Sequence, residues 1–163
     1  MNAKNHIISI VLFGVLYYLT NGNLFLTLTA MFSAVAVDSD HVIDYILTQK
    51  RVDSLKEMMK AFDTFEVIKK NYLIFHSWEF IILFGFFLFF YPSRFLIAIF
   101  TGCAFHLLLD QLFNTRFLGK YNVKSFFYFF FYRMKHNFEC YLYGLKVRVL
   151  GLEKKYINGF GGV

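Results

Sequence analysis

The sequence predicts an all-α integral membrane protein, a helical bundle of about four membrane spans with additional amphipathic or interfacial helices. Its 163 residues are 58% hydrophobic and 22% aromatic but only 17% charged, which is more apolar than an ordinary soluble domain. Long apolar runs are separated by short polar turns. Strand-length segments that alternate polar and apolar residues, as in a membrane barrel, are missing. The length suits one domain over residues 1–163.

The N-terminal region predicts a hairpin of two membrane helices. An uncharged run extends from Asn5 to Val37, and Asn21-Gly22-Asn23 divides it into apolar runs at Ile7–Thr20 and Leu24–Val37. Gly and Asn tolerate the backbone angles of a tight turn. A cleaved signal peptide is the alternative, but the polar turn in the middle fits a hairpin better than a single apolar core.

The middle of the chain predicts two more spans and a surface helix. Tyr72–Tyr91 and Phe95–Phe113 are apolar runs of spanning length, separated by Pro92-Ser93. Arg51–Lys70 repeats apolar residues at three- and four-residue steps between charges. This pattern predicts an amphipathic helix on the membrane surface or over the site, and an ordinary surface helix fits equally well.

After the fourth run, the sequence predicts an interfacial helical tail over residues 115–163. Phe126–Tyr132 is a run of seven aromatic residues, too short to cross a membrane. We interpret it as the start of an interfacial or re-entrant helix that continues towards Leu150.

The basic residues predict the orientation. If the turns at 21–23 and 91–94 face outward, 16 of the 17 Lys and Arg residues lie inside and only Arg94 lies outside. This bias predicts a multi-pass protein of the inner membrane with its termini at the cytoplasmic face. The net charge of +6 has the same explanation, and nucleic-acid binding is not expected.

Four polar elements, distant in sequence, fall at similar depth near that inner face. They are His6 on the first run, Asp38-Ser39-Asp40-His41 after the second, His76-Ser77 with Glu79 on the third, and His106 with Asp110 on the fourth. Acids are costly beside hydrocarbon, so such a cluster needs cations or water. The predicted metal ligands are His6, Asp38, Asp40, His41, His76, His106 and Asp110.

The spacing within these elements suits shared coordination. His106 and Asp110 are four residues apart, so they project from one face of a helix. Asp38 and His41 are three apart. The plainer interpretations are a histidine bonded to a neighbouring acid, and Asp38 or Asp40 capping a helix. Asp44 follows in the same stretch, and three acids exceed what capping needs.

The ligand types indicate the metal. Mixed imidazole and carboxylate ligands suit zinc, with manganese or iron as alternatives, and their number allows one to three ions. Asp40 and Glu79 are candidate catalytic carboxylates that would take a proton from metal-activated water. Cys103 and Cys140 form no CxxC pair, so no thiolate site is expected. His136 lies among basic residues and is interpreted as part of a solvated face.

These motifs resemble those of a known family. An early His, then Asp-x-Asp-His, His-Ser and His-x-x-x-Asp over residues 6–114 look like the bacterial and archaeal inner-membrane, metal-dependent hydrolases that include LexA-regulated members. That family is more distantly similar to the zinc-dependent phospholipases C. The resemblance implies a hydrolase with the seven ligands above. Val37 stands where the family often has proline, and Tyr72-Leu73 stands where it has Arg-Gly, so the substrate class stays open.

The leading hypothesis is a membrane-bound metal-dependent hydrolase that cleaves a phosphoester or lipid-like substrate, with membrane lipid as its partner. The alternatives are a divalent-metal transporter, a bis-histidine haem protein and a non-catalytic helical membrane protein. The carboxylates beside the histidines argue against haem. The nearly apolar outer halves of the four runs argue against a transport path.

The orientation can be tested by thiol labelling of intact cells with a membrane-impermeant reagent. We expect Asn23→Cys, in the first outward turn, to react and Ser54→Cys, on the inner side, to resist, with the parent chain as background. Labelling of Ser54→Cys from outside would contradict the predicted orientation.

Overall fold

The computed structural model describes residues 3–54, 56–58, 70–115 and 123–139. All regular structure in these ranges is helical, and extended pairing is limited to isolated bridges at Lys70–Glu139 and Thr115–Val123. The predicted all-α class is therefore confirmed. In chain order the described helices are α1 (Ala3–Asn21), α2 (Leu24–Ala36), α3 (Ser39–Gln49), α4 (Trp78–Phe90), α5 (Arg94–Asn114), a 3-10 helix (Ser125–Tyr128) and α6 (Phe130–Lys135).

The N-terminal hairpin has the predicted turn. Gly22, between α1 and α2, has a φ of +65°, a left-handed conformation that glycine adopts without steric cost. The Asn23 side chain accepts a hydrogen bond from the Leu26 amide at 3.0 Å and so caps α2. A glycine and a capping asparagine thus reverse the chain.

Two helical stretches are long and apolar enough to cross a membrane. Only Val37 and Asp38 separate α2 from α3, and the combined stretch Leu24–Gln49 meets this condition, as does α5. The apolar helices Asn5–Asn21 and Trp78–Phe90 are shorter.

Helices α2 and α5 approach closely at small residues. A Cβ atom added to Gly102 would lie 2.1 Å from the Ala30 carbonyl oxygen. The Ser33 hydroxyl lies 2.9 Å from that oxygen and 3.2 Å from the carbonyl oxygen of Ile99 on α5. This contact sets the distance between α5 and the junction of α2 with α3.

The third apolar run becomes helical later than predicted. A helix was expected from Tyr72, but α4 begins at Trp78, where the Ser77 side chain caps it by accepting from the Phe80 amide. Residues 71–77 lie outside helices and strands because several of their backbone N–H groups bond to carboxylates of α3. His76 therefore precedes the helix instead of lying one turn inside it.

The aromatic run also differs from the prediction, because it is not one continuous helix. A 3-10 turn covers its first residues, Phe129 is extended, and α6 ends at Lys135. Asn137 and Phe138 follow with positive φ angles of 52° and 59°, so the helix does not continue there.

Two predicted segments fall wholly or largely outside the described residues. Of the amphipathic helix expected at Arg51–Lys70, a helical turn at residues 56–58 is described, with Met58 buried in the core. The expected continuation towards Leu150 lies outside the described ranges.

The α2–α5 contact predicts a large effect for a small substitution. Gly102→Ala would force the two helices apart, and overpacking of this kind costs about 1–3 kcal/mol. The matched control is Gly85→Ala, whose Cβ would meet the Phe100 ring at an ordinary 3.4 Å. We expect thermal unfolding of purified protein, followed by helical circular dichroism, to show a lower midpoint only for Gly102→Ala. Equal midpoints for both variants would contradict the close approach.

Candidate metal centre

The seven predicted ligands lie together at one end of the helices. His6 comes from the start of α1, Asp38, Asp40 and His41 from the α2–α3 junction, His76 from the irregular segment, and His106 and Asp110 from the last turns of α5. Donor atoms within 4.8 Å of one another occur in three groups: His6–His106–Asp110, Asp38–His76–His106 and Asp40–His41–His76.

Four donor atoms form the middle of this cluster. His76 Nε2 and His106 Nε2 face each other at 3.0 Å. Asp38 Oδ1 lies 3.5 Å from the first nitrogen and 3.4 Å from the second. Asp110 Oδ2 lies 3.5 Å and 3.6 Å from the same two nitrogens.

Each of these five separations is close to the edge length of a coordination tetrahedron. Zinc binds imidazole nitrogen and carboxylate oxygen at about 2.0–2.1 Å, which places tetrahedral ligand atoms about 3.3 Å from one another. The five separations above run from 3.0 to 3.6 Å. The two facing imidazole nitrogens, taken with an oxygen of either Asp38 or Asp110, therefore fit one divalent ion in both chemistry and spacing.

Two more histidines lie beside the central carboxylates. His6 Nε2 is 3.6 Å from Asp110 Oδ1, and its ring lies 4.5 Å from the His106 ring. His41 Nε2 is 3.7 Å from Asp38 Oδ1. Each outer histidine thus adds a candidate ligand at one of the two acids.

Asp40 orients His76. Its Oδ1 lies 2.8 Å from His76 Nδ1, and its Oδ2 accepts from the amides of Phe75 at 2.8 Å and His76 at 3.3 Å. A carboxylate on Nδ1 selects the tautomer whose Nε2 can bind a metal, an arrangement common behind metal-bound histidine. Nδ1 of His106, by contrast, is buried without a hydrogen-bond partner among the described residues.

Asp44 supports the site, although the sequence analysis did not include it among the site residues. Its Oδ2 accepts from the amides of Tyr72 at 2.6 Å and Leu73 at 3.1 Å. Asp40 and Asp44 therefore hold the segment that carries His76 against α3. Their four-residue spacing indicates that both acids face the same neighbour.

Asp40 and Asp110 are buried and Asp38 is partly buried, and the ion-pair partners described for these three acids are all histidines. Burial disfavours a charge on His76, but Asp40, followed by Asp38 and Asp110, outweighs it and raises the pKa of His76 to about 10. The negative charge of the three carboxylates favours a cation in the cluster, either a proton on an imidazole or a metal ion.

Helix capping does not explain Asp38. It stands at the position that precedes α3, but its side chain makes no capping hydrogen bond. Its Oδ1 instead lies near three imidazole nitrogens, of His41, His76 and His106. The contacts favour the interpretation as a ligand.

Glu79 and His136 belong to none of the metal-ligand groups found among the described residues. The two Glu79 oxygens accept from the amides of Phe130 at 2.8 Å and Phe131 at 3.1 Å, so this carboxylate anchors the start of α6. The His136 ring packs 4.4 Å from the Tyr132 ring. Arg133, one of the basic residues beside His136, is completely buried.

Comparison of the chain with models of known families, curated proteins and solved structures finds no match. The family resemblance of the motifs therefore stays a prediction, and the geometry of the cluster carries the functional argument.

The cluster predicts that metal stabilises the protein. Without a cation, the crowded carboxylates repel one another in a poorly solvated site. We expect a chelator to lower the thermal midpoint and added zinc to restore it, because zinc at 100 times its Kd stabilises by about 2.7 kcal/mol. The control is Asp110→Asn, whose midpoint should respond much less to zinc. Equal responses of the two proteins would count against the cluster as the binding site.

Proposed function

We propose that the protein is a membrane-embedded, metal-dependent hydrolase that cleaves a phosphoester or lipid-like substrate. The observation that carries the proposal is the spacing of the donor atoms: the facing nitrogens of His76 and His106 lie 3.4–3.6 Å from an oxygen of Asp38 and from an oxygen of Asp110. A carboxylate-rich site with several histidines is typical of hydrolytic metal centres.

The proposal gives each side chain a role. His76, His106 and Asp110 hold the ion, and the more exposed Asp38 faces it on the side where water would enter. His6 and His41 extend the donor set at the two carboxylates. A divalent ion held there would supply Lewis acidity and lower the pKa of water. Asp40 keeps His76 in its ligating tautomer, and Glu79 has a structural role through α6.

The burial of the ligands indicates where substrate enters. The side chains of His106 and His76 are 0% and 2% exposed, whereas that of Asp38 is 28% exposed. The site therefore opens on the Asp38 side, with His6 and His41 at intermediate exposure. In this proposal the Asp38 carboxylate, at the open edge, accepts the proton of the attacking water.

The outer surface supports a lipid environment. Large apolar side chains point away from the described core, with Phe32 and Leu19 each 74% exposed and Phe89 80% exposed. In water such a surface would be a liability, but in a bilayer it faces hydrocarbon. We propose four spans, formed by α1, α2 with α3, α4 and α5, with the site at the headgroup level of the inner leaflet.

The buried side of α5 favours an enzyme over a metal transporter. One to three turns from His106 towards the other end of the helix, the buried residues are Cys103, Gly102 and Ala98. A transport path would need further carboxylates or imidazoles along this direction. The described residues of α5 supply none there.

The proposal predicts loss of both metal and activity on substitution of a central ligand. We expect His106→Ala and Asp110→Ala to lose bound zinc and to lower hydrolysis of phospholipid vesicles, or of a chromogenic phosphodiester, to background. Release of phosphate-bearing product measures the activity, and elemental analysis measures the zinc.

The matched control is His136→Ala, which removes an imidazole directly after α6, outside the cluster, and should retain both properties. Retention of zinc and activity by His106→Ala would contradict the site. Zinc uptake into proteoliposomes without hydrolysis of any phosphoester offered would favour the transporter.

A further inference from the structure

Residues 125–138 pack against the segments that carry two of the central ligands. The backbone N–H of Asn71, at the start of the irregular segment, donates to the backbone carbonyl of Phe138 at 2.9 Å. Glu79 anchors the first amides of α6. This element was predicted to be an interfacial tail, yet two of its buried polar side chains reach the backbone of ligand-bearing segments.

Arg133 is the first of these side chains. It is 0% exposed, and its Nη2 donates to the Leu73 carbonyl at 2.7 Å. Its Nη1 donates to the His76 carbonyl at 3.1 Å and also to the carbonyl of Phe127. A buried guanidinium is tolerated only when acceptors meet its donors, so these bonds hold the irregular segment and α6 together.

The backbone at Leu73, which accepts a hydrogen bond from Arg133, is strained. Leu73 has a φ of +44°, a left-handed conformation that is uncommon for residues other than glycine. Its amide is held by Asp44 at 3.1 Å and its carbonyl by Arg133. Three residues later the same segment presents His76 to the cluster, so contacts on both sides determine where that imidazole lies.

Tyr128 makes the equivalent contact at the other ligand-bearing segment. Its hydroxyl donates to the Asp110 carbonyl at 2.9 Å and accepts from Asn114 Nδ2 at 3.0 Å. The residue is 2% exposed, so the bond is protected from water. Asp110 lies four residues before the end of α5, so this bond ties the last turn of the helix to the 3-10 helix at Ser125–Tyr128.

We propose that Arg133 and Tyr128 are positioning residues of the metal centre. Arg133 acts on His76, and Tyr128 acts on Asp110. The short element at residues 125–135 thereby sets the affinity and geometry of the site without supplying a ligand. This inference rests on the proposed metal centre. Loss of outer contacts that orient ligands typically weakens metal binding about 10–100-fold.

The test uses cobalt(II) as a spectroscopic substitute for zinc in the purified full-length protein. Arg133→Met removes the hydrogen-bond donors while keeping a similar bulk. Arg133→Lys keeps the positive charge but loses the planar guanidinium with its two donating Nη groups. Tyr128→Phe removes only the hydroxyl. We expect Arg133→Met to weaken cobalt binding at least about tenfold and to shift the d–d absorption bands that report ligand geometry. Arg133→Lys should recover part of the affinity, and Tyr128→Phe should show a smaller loss with a band shift.

The matched controls are Arg94→Met and Tyr91→Phe, both exposed at the opposite end of the helices. They should bind cobalt as the parent protein does. Wild-type affinity and spectrum in Tyr128→Phe and in the folded Arg133 variants would overturn the inference while leaving the metal centre in place. If Arg133→Met fails to fold, Tyr128→Phe and Arg133→Lys decide. Failure of the parent protein to bind cobalt or zinc would instead refute the proposed function and this inference with it.

Discussion

The structure depends on how buried carboxylates are compensated. Asp38, Asp40 and Asp110 all lie against the ring of His76, and their described ion-pair partners are histidines, whose charge depends on protonation. Unpaired acids in such surroundings would cost several kcal/mol each. A cation within the cluster removes that cost, and the nitrogens of His76 and His106 stand at the distance that a shared ion requires. The binding site and the stability of this end of the protein are therefore linked.

The same acids also organise the backbone. Asp40 and Asp44 accept N–H groups from residues 72–76, which leave the helical pattern to meet them. Arg133 completes the arrangement from the other side by donating to the carbonyls of Leu73 and His76. A segment without helix or strand pairing thus has several of its backbone polar groups paired with side chains, which lowers the cost of burying it. This irregular backbone places the imidazole of His76 against Asp40 and His106.

The molecule has an apolar part and a polar end, and the cost of burying charged groups explains this division. The helices that lead away from the cluster expose large apolar side chains, and the contact between α2 and α5 relies on Gly102 and Ala30 instead of polar groups. Small residues allow the backbones to approach, which suits helix packing in lipid, where apolar surface alone does not drive helices together. All seven candidate ligands are at one end, away from these exposed apolar side chains.

The sequence by itself determined the all-α class, the turn at Gly22, the extent of α5 to within a residue at each end, and the identity of the residues that meet at the cluster. These features follow from local properties, namely hydropathy, turn chemistry and the cost of acids within apolar runs. Only the tertiary structure decided that residues 71–77 are not helical and that Arg133 is buried. Hydropathy counts Tyr72 and Leu73 as part of an apolar run, but their amides bond to Asp44, 28 and 29 residues earlier. Periodicity within a segment does not reveal which distant carboxylate or guanidinium meets its backbone, because that choice is made when the helices pack.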